Sequence, residues 1–330
     1  MRSCHGLSAI LRKTTLILGA AFALTSTTGA SAQDWPAGPI TFVVPYAAGG
    51  NTDIMARMLA ESISQEFGQT VIVDNKGGAG GAIAAEFVAR ANPDGYTLFF
   101  GANAQTSVAP YVQRIKYDPI KNFKPISIFG TNGAILAISS KVPANNVAEF
   151  IAYAKANPNK INYGSGGIGT IAHLASAMFA ARAGVQMQHV PYKGGSQTIM
   201  DLSSGHIEMY LGNTSEILPL AGTKELKLLA VSSKERLKDL PNVPAIAETL
   251  PGYTIEAWNG LLAPAGTPQA VINKLEAAAM KAARKPDIII KLEKLGIVAK
   301  GTSSAEHQQI LESEQVFFRE AVNMAGIKVE

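Results

Sequence analysis

The sequence predicts an α/β protein of two similar halves, each a mainly parallel sheet flanked by helices. Three observations lead there. Short β-branched runs alternate with helical periodicity from Ile40 onward; the alternation restarts near Ile161; and in both halves a glycine-rich loop joins a strand to a helix. The 330 residues are 47% hydrophobic and 16% charged, enough chain for about two domains that each bury a core. So low a charged fraction excludes a disordered chain or a long coiled coil. A single Cys excludes a disulfide scaffold and a cysteine zinc site.

Residues 1–32 read as an export leader. Arg2, Arg12 and Lys13 precede an apolar stretch, Thr14 to Leu24, and Ala30, Ser31 and Ala32 supply a small-residue cleavage pattern. Cleavage near Ala32 would remove the lone Cys4 and three of the four net positive charges, leaving +1. A nearly neutral mature chain gives no reason to expect a nucleic-acid partner.

The elements follow in order. Ile40–Val44 is a buried strand, and the loop Pro45–Asn51 leads to a helix starting near Asp53, with Asn51 or Thr52 as its cap. Met55, Met58, Leu59 and Ile63 recur at helical spacing, and Gly68 ends the helix. Thr70–Val73 is a strand, Gly77–Gly81 a glycine turn, and a helix runs from there through Arg90 before a strand at Thr97–Phe100. The second half repeats this plan. Ile161–Tyr163 is a strand, Gly164–Gly169 a loop, Ile171–Arg182 a helix, and Gln188–Val190, Ile207–Leu211 and Leu226–Val231 are strands, with a helix around Ile199. Trp258–Ala263 is one more strand, and the helices after it need a sheet to cover. The expected organisation is therefore a discontinuous first domain, 33–130 with 256–330, and an inserted second domain, 131–255, with crossings near 125–135 and 250–260.

In open parallel sheets, ligands bind beyond the carboxyl ends of strands, where helix N-termini point. The loops Pro45–Asp53 and Gly164–Thr170 fit that position. Their glycines let backbone N–H groups turn toward a guest, and each following helix adds positive potential at its start. Two facing loops of this kind suit an anion without an arginine. The candidate contacts are Tyr46, Ala48, Gly49, Asn51, Thr52 and Asp53 from the first loop, and Ser165, Gly166, Ile168, Gly169, Thr170 and His173 from the second. Asn103, Ser107 and Asn213 join them just past strand ends. Several have plainer readings. Asp53 could brace its own loop and pair with Arg57, four residues on. Tyr46 could fill the loop interior, and His173 could bond local backbone. His307 is expected to be solvated on an amphipathic helix. Ile168 and Trp258, if near the cleft, would suit an aromatic acid.

The second loop matches G-x-G-x-x-G, but no acidic residue follows at the distance a ribose would need, so no dinucleotide is expected. Gly77–Gly81 lacks the Lys that would complete a phosphate loop. No G-x-S-x-G elbow, H-E-x-x-H pair or His cluster appears, so the reading is of a non-enzyme with no cofactor and no metal.

Blocks throughout the chain resemble the substrate-binding receptors of tripartite tricarboxylate transporters, the Bug-type periplasmic receptors. They are Ile40–Asp53, Val73–Gly81, Asn92–Leu98, Tyr163–Leu174, Val190–Gly194, Leu240–Pro244 and Trp258–Pro268. The resemblance implies a two-domain periplasmic-binding-protein (Venus flytrap) fold, monomeric and periplasmic. It further implies that a small organic carboxylate (a di- or tricarboxylate, an aromatic acid or an amino acid) is pinned between the two glycine loops, largely by backbone amides and bridging waters, and delivered to membrane permease subunits. A periplasmic carboxylate sensor docking on a signalling protein would use the same cleft. Ala48 stands where many relatives carry Pro.

Overall fold

In the computed structural model, which describes residues 35–237 and 240–327, the first half is built around strand β1 (Ile40–Val44). β1 lies between β2 (Val71–Asn75) and β3 (Thr97–Ala102), parallel to both. Helices α1 (Asn51–Phe67) and α2 (Ala82–Ala89) make the crossovers. Gly68 closes α1 in the left-handed conformation, φ 64°, where its N–H bonds the Ser64 carbonyl at 3.0 Å. The expected leader, 1–32, lies outside the described residues.

The second half repeats the motif with β5 (Asn162–Ser165) parallel to β6 (Gln188–Pro191) and β7 (Met209–Asn213), joined through α5 (Ile171–Ala183) and α6 (Gly195–Ser204). Two long strands tie the halves into one ten-stranded sheet. Strand β4 (Phe123–Ser139) pairs antiparallel with β9 (Glu256–Pro264) from Phe123 to Gly133, then with β7 and β8 (Leu226–Val231) from Ala134 to Ser139. β9 also lies antiparallel to β3, and the short β10 (Ile297–Ala299) is antiparallel to β4. The parallel units are thus joined through antiparallel strands, and the stretch expected to cross near 125–135 is a single 17-residue strand. It is buried on both faces along most of its length, so it carries no alternation, and Pro125, Gly130 and Gly133 interrupt what remains of the signal.

Aromatic contacts fill both cores. Phe42 stacks on Phe100 at 6.2 Å and Phe99 on Phe123 at 5.7 Å in the first half. In the second, Phe150 lies 6.0 Å from Phe179, whose ring meets Tyr253 edge-on at 6.4 Å. The last helix, α10 (Ser304–Met324), begins with a capping box between Ser303 and Glu306. Leu311 on this helix packs with Phe99, Trp258 and Leu262, whereas Phe318, Ala321 and Val322 pack with Leu174, Met178 and Phe179. The C-terminal helix therefore serves both cores, where the sequence suggested only the first.

Candidate functional site

The first loop leaves β1 at Val44 and turns at Gly49, whose φ of +83° suits a residue without a side chain. Helix α1 begins at Asn51, two residues earlier than expected, with Gly50 before its first turn and no side-chain cap. Asp53 braces the loop. Its carboxylate accepts from the Gly49 N–H at 2.9 Å, from Arg57 Nε at 3.0 Å and from Asn75 Nδ2 at 3.0 Å. Burial alone would raise its pKa, but these donors outweigh burial and hold it below the ordinary carboxylate value.

The second loop is braced in its own way. Thr170 caps α5 by accepting the His173 N–H at 3.3 Å and donates to the Gly167 carbonyl at 2.7 Å. His173 Nδ1 accepts the Gly169 N–H at 3.3 Å, and its ring stacks on His189 at 4.0 Å. His189 Nε2 in turn lies 2.6 Å from Ser165 Oγ. Burial pushes the two imidazoles down to about 3 and about 4, so both are neutral at physiological pH. Ser165 is fully buried, so this serine–histidine contact offers no face to a substrate and serves to hold the loop. The N–H groups of Gly49, Gly167, Gly169 and Thr170 are all bonded within their own loops. The expectation that these amides face a guest is not how the loops are arranged in this structure.

Between the loops lies a cavity with about 50 Å³ open to the centres of water-sized molecules, against the roughly 10–15 Å³ that one water needs. Six of the fifteen residues selected from sequence line it: Tyr46, Asn51, Thr52, Gly166, Thr170 and Asn213. Ala48 and Gly49 are exposed on the outer side of their loop. Asp53, Ser165, Gly169 and His173 stand behind the lining as braces. Ile168 presses its carbonyl against Gly80, so that a Cβ on Gly80 would collide with it. Gly77–Gly81 thus packs beneath the second loop and does not line the cavity. Asn103 and Ser107 face elsewhere, toward Glu314 on α10, at 3.4 and 2.8 Å. Trp258 joins them there, with Nε1 donating to both Glu314 oxygens at 3.1 and 3.0 Å, so it is no cleft aromatic. His307 is buried edge-on against Trp258 at 4.7 Å rather than solvated, and burial lowers its pKa to about 3.

The cavity floor is an amide network that sequence reasoning missed. Asn51 Nδ2 donates to Asn259 at 2.8 Å and to Asn132 at 3.3 Å, while its Oδ1 accepts from Ser215 at 2.6 Å. Asn132 donates to Asn213 at 3.1 Å, and Asn259 to Thr52 at 2.8 Å. This network joins the start of α1 to both long strands and to the short helix α7 (Thr214–Ile217). Also missed were Tyr210, Gly195 and Glu216, which complete the wall. Tyr210 donates to Glu216 at 2.6 Å, and the Asn51 N–H reaches the same carboxylate at 3.4 Å. The one available signal was position: Asn213 ends β7 and Glu216 lies in the short helix just after it. Tyr46 is held by Gln105, which donates to its hydroxyl at 2.8 Å.

Two α/β lobes on shared strands, with a cavity between their strand-to-helix loops, define the solute-binding-protein class. The chain belongs to the tripartite tricarboxylate transporter receptor family. A family profile described as "Tripartite tricarboxylate transporter family receptor" matches residues 55–322. A protein of Pseudomonas sp., "UPF0065 protein in tcbD-tcbE intergenic region", is 36% identical over 315 residues, covering 94% of each chain. The solved structure "R. palustris Rpa4515 with adipate" is similar at a TM-score of 0.87 and 32% identity, covering 90% of this chain and all of that one. The structure "MatC (Rpa3494) from Rhodopseudomonas palustris with bound malate" is similar at 0.84 and 28% identity, covering 87% of this chain and 100% of that one.

Proposed function

We propose that this protein is a periplasmic receptor that captures a small organic carboxylate in the cavity and delivers it to the permease subunits of a tripartite transporter. The observation that carries this reading is the cavity between the two strand-to-helix loops. Its lining mixes polar side chains such as Asn51, Thr52, Thr170 and Asn259 with apolar ones, and the first turn of α5 borders it at Ile171 and Ala172. The N–H groups of a helix's first turn have no intrahelical acceptor and carry the positive end of the helix dipole. A carboxylate at that position gains charge-assisted hydrogen bonds of about 1.5–3 kcal/mol each. Three or four reach the roughly 8 kcal/mol of a micromolar site.

The adipate and malate named for the two similar structures support a carboxylate as the ligand class. In this reading residues 33–130 with 256–330 form one domain and 131–255 the other, and opening flexes β4 and β9 where they cross. The leader through Ala32 directs export. The closed pair of domains then presents a joint surface to the permease. Calorimetry of the mature protein against dicarboxylates, aromatic acids and amino acids tests the reading. Binding at micromolar affinity to one of them is expected, and binding no better than about millimolar across the panel would remove it.

A further inference from the structure

We infer that Glu216 makes this cleft selective for a carboxylate that also carries a protonated amine, with the amine seated on the Glu216 carboxylate. The inference rests on the receptor reading above and names its ligand class. Glu216 lines the cavity, and it is the one acidic side chain of the lining among the described residues. No Lys, Arg or His lines the cavity with it, so nothing on the cavity wall balances its charge.

The carboxylate is held in place by the surrounding fold. Tyr210 donates to one oxygen at 2.6 Å and the Asn51 N–H to the other at 3.4 Å. Gly195, at the start of α6, lies so close that a Cβ there would collide with the whole carboxyl group. Gly50 is also near, with a Cβ position 3.6 Å from Oε1. Burial pushes the Glu216 pKa up, and its hydrogen bonds with Tyr210, Asn51 and Asn213 only partly offset this. A carboxylate kept in such a place without a cation is an unfavourable arrangement that a bound cation would relieve.

The lining therefore offers attraction of both signs. The start of α5, with Ile171 and Ala172, favours an anion, and Glu216 favours a cation. A ligand with two carboxylates would set one of them against Glu216, whereas an amino acid matches both.

The test is calorimetry of the mature protein and of Glu216→Gln on three matched pairs: alanine and propionate, 4-aminobutyrate and butyrate, glutamate and glutarate. Wild-type protein is expected to bind the amine-bearing member of at least one pair ten-fold or more tightly than its partner. Glu216→Gln should reduce that preference to three-fold or less while leaving the amine-free acid bound as well or better. If an amine-free acid binds wild-type protein as tightly as its amino partner, the inference is overturned and the receptor reading stands. The same follows if the preference survives in Glu216→Gln. If no member of any pair binds either protein, this ligand class is excluded, and the wider acid panel then decides the receptor reading separately. The comparison within wild-type protein holds even if the variant fails to fold.

Discussion

Two glutamates, Glu314 and Glu216, are half-buried, and burial raises the pKa of both. Their surroundings differ. Glu314 is saturated by side-chain donors from three other elements: Ser107 beyond β3, Trp258 on β9 and Asn103 at the end of β3. It fastens α10 to the sheet and does not line the cavity between the loops. Glu216 has Tyr210, the Asn51 N–H and Asn213 as hydrogen-bond partners, and it borders open space. Burial alone therefore does not distinguish a structural carboxylate from one available to a ligand. Whether a cavity adjoins it does.

The sharpest way to break this comparison is Glu314→Ala. It leaves the Trp258 N–H and the Ser107 hydroxyl without their acceptor, at about 1–3 kcal/mol for each group, so urea unfolding should show a loss of about 3 kcal/mol or more. Glu314→Gln keeps an acceptor and should lose about 1 kcal/mol. A Glu314→Ala protein as stable as wild type would mean that the two glutamates do not differ as argued. Second in size is Gly195→Ala. The added methyl meets the Glu216 carboxyl group, and overpacking of this kind costs about 1–3 kcal/mol. In a Glu216→Ala background the same change should cost less than half as much, since the colliding group is gone. Equal costs in the two backgrounds would show that Gly195 does not confine Glu216.

Glu216→Gln should be gentler still. An amide can keep the Tyr210 contact through its oxygen and removes a desolvated charge, so stability measured by urea unfolding should stay within about 1 kcal/mol of wild type or rise. A loss as large as that of Glu314→Ala would class Glu216 with the structural carboxylates.

Much of this architecture was legible in the residues. Ile40–Val44 is the strand that its β-branched run predicted, Leu226–Val231 is a strand at the expected bounds, and Gly68 and Gly184 end helices in the left-handed conformation. The pairing of Asp53 with Arg57 and its bracing of the loop also followed from spacing alone. What escaped was information that only tertiary contacts hold. β4 is buried on both faces and shows no period. Asn103 and Ser107 lie just past a strand end as expected, yet packing turns them to α10. His307 sits four positions after the capping serine Ser303, on a helix rich in Glu and Gln, and looks solvated until Trp258 covers it. Glu216 on its four-residue helix looks like any solvent-facing acid, and only the approach of Gly195 and Tyr210 reveals the wall it occupies.

Acid titration separates the two kinds of buried group by sign and gives the smallest expected effect. His173, His189 and His307 have folded values of about 3, 4 and 3, below the ordinary 6.5 or so of an unfolded histidine. Their neutral burial contributes stability that is complete above that ordinary value and is lost as pH falls through the folded ones, because the unfolded chain binds the extra protons. Glu216 and Glu314 act oppositely. Their folded values are raised, so protonation favours the fold, and the stability they contribute is fully present below the ordinary glutamate value and fades as pH rises through the folded one. Between pH 7 and pH 5 the histidine loss is thus partly offset by the glutamates. Glu216→Gln removes one part of that offset, so its urea-unfolding stability should fall slightly more steeply with acid than that of wild type. Parallel pH profiles would show that the Glu216 site contributes nothing to the proton balance of folding, and with it that the carboxylate bordering the cavity is not held out of water as its surroundings require.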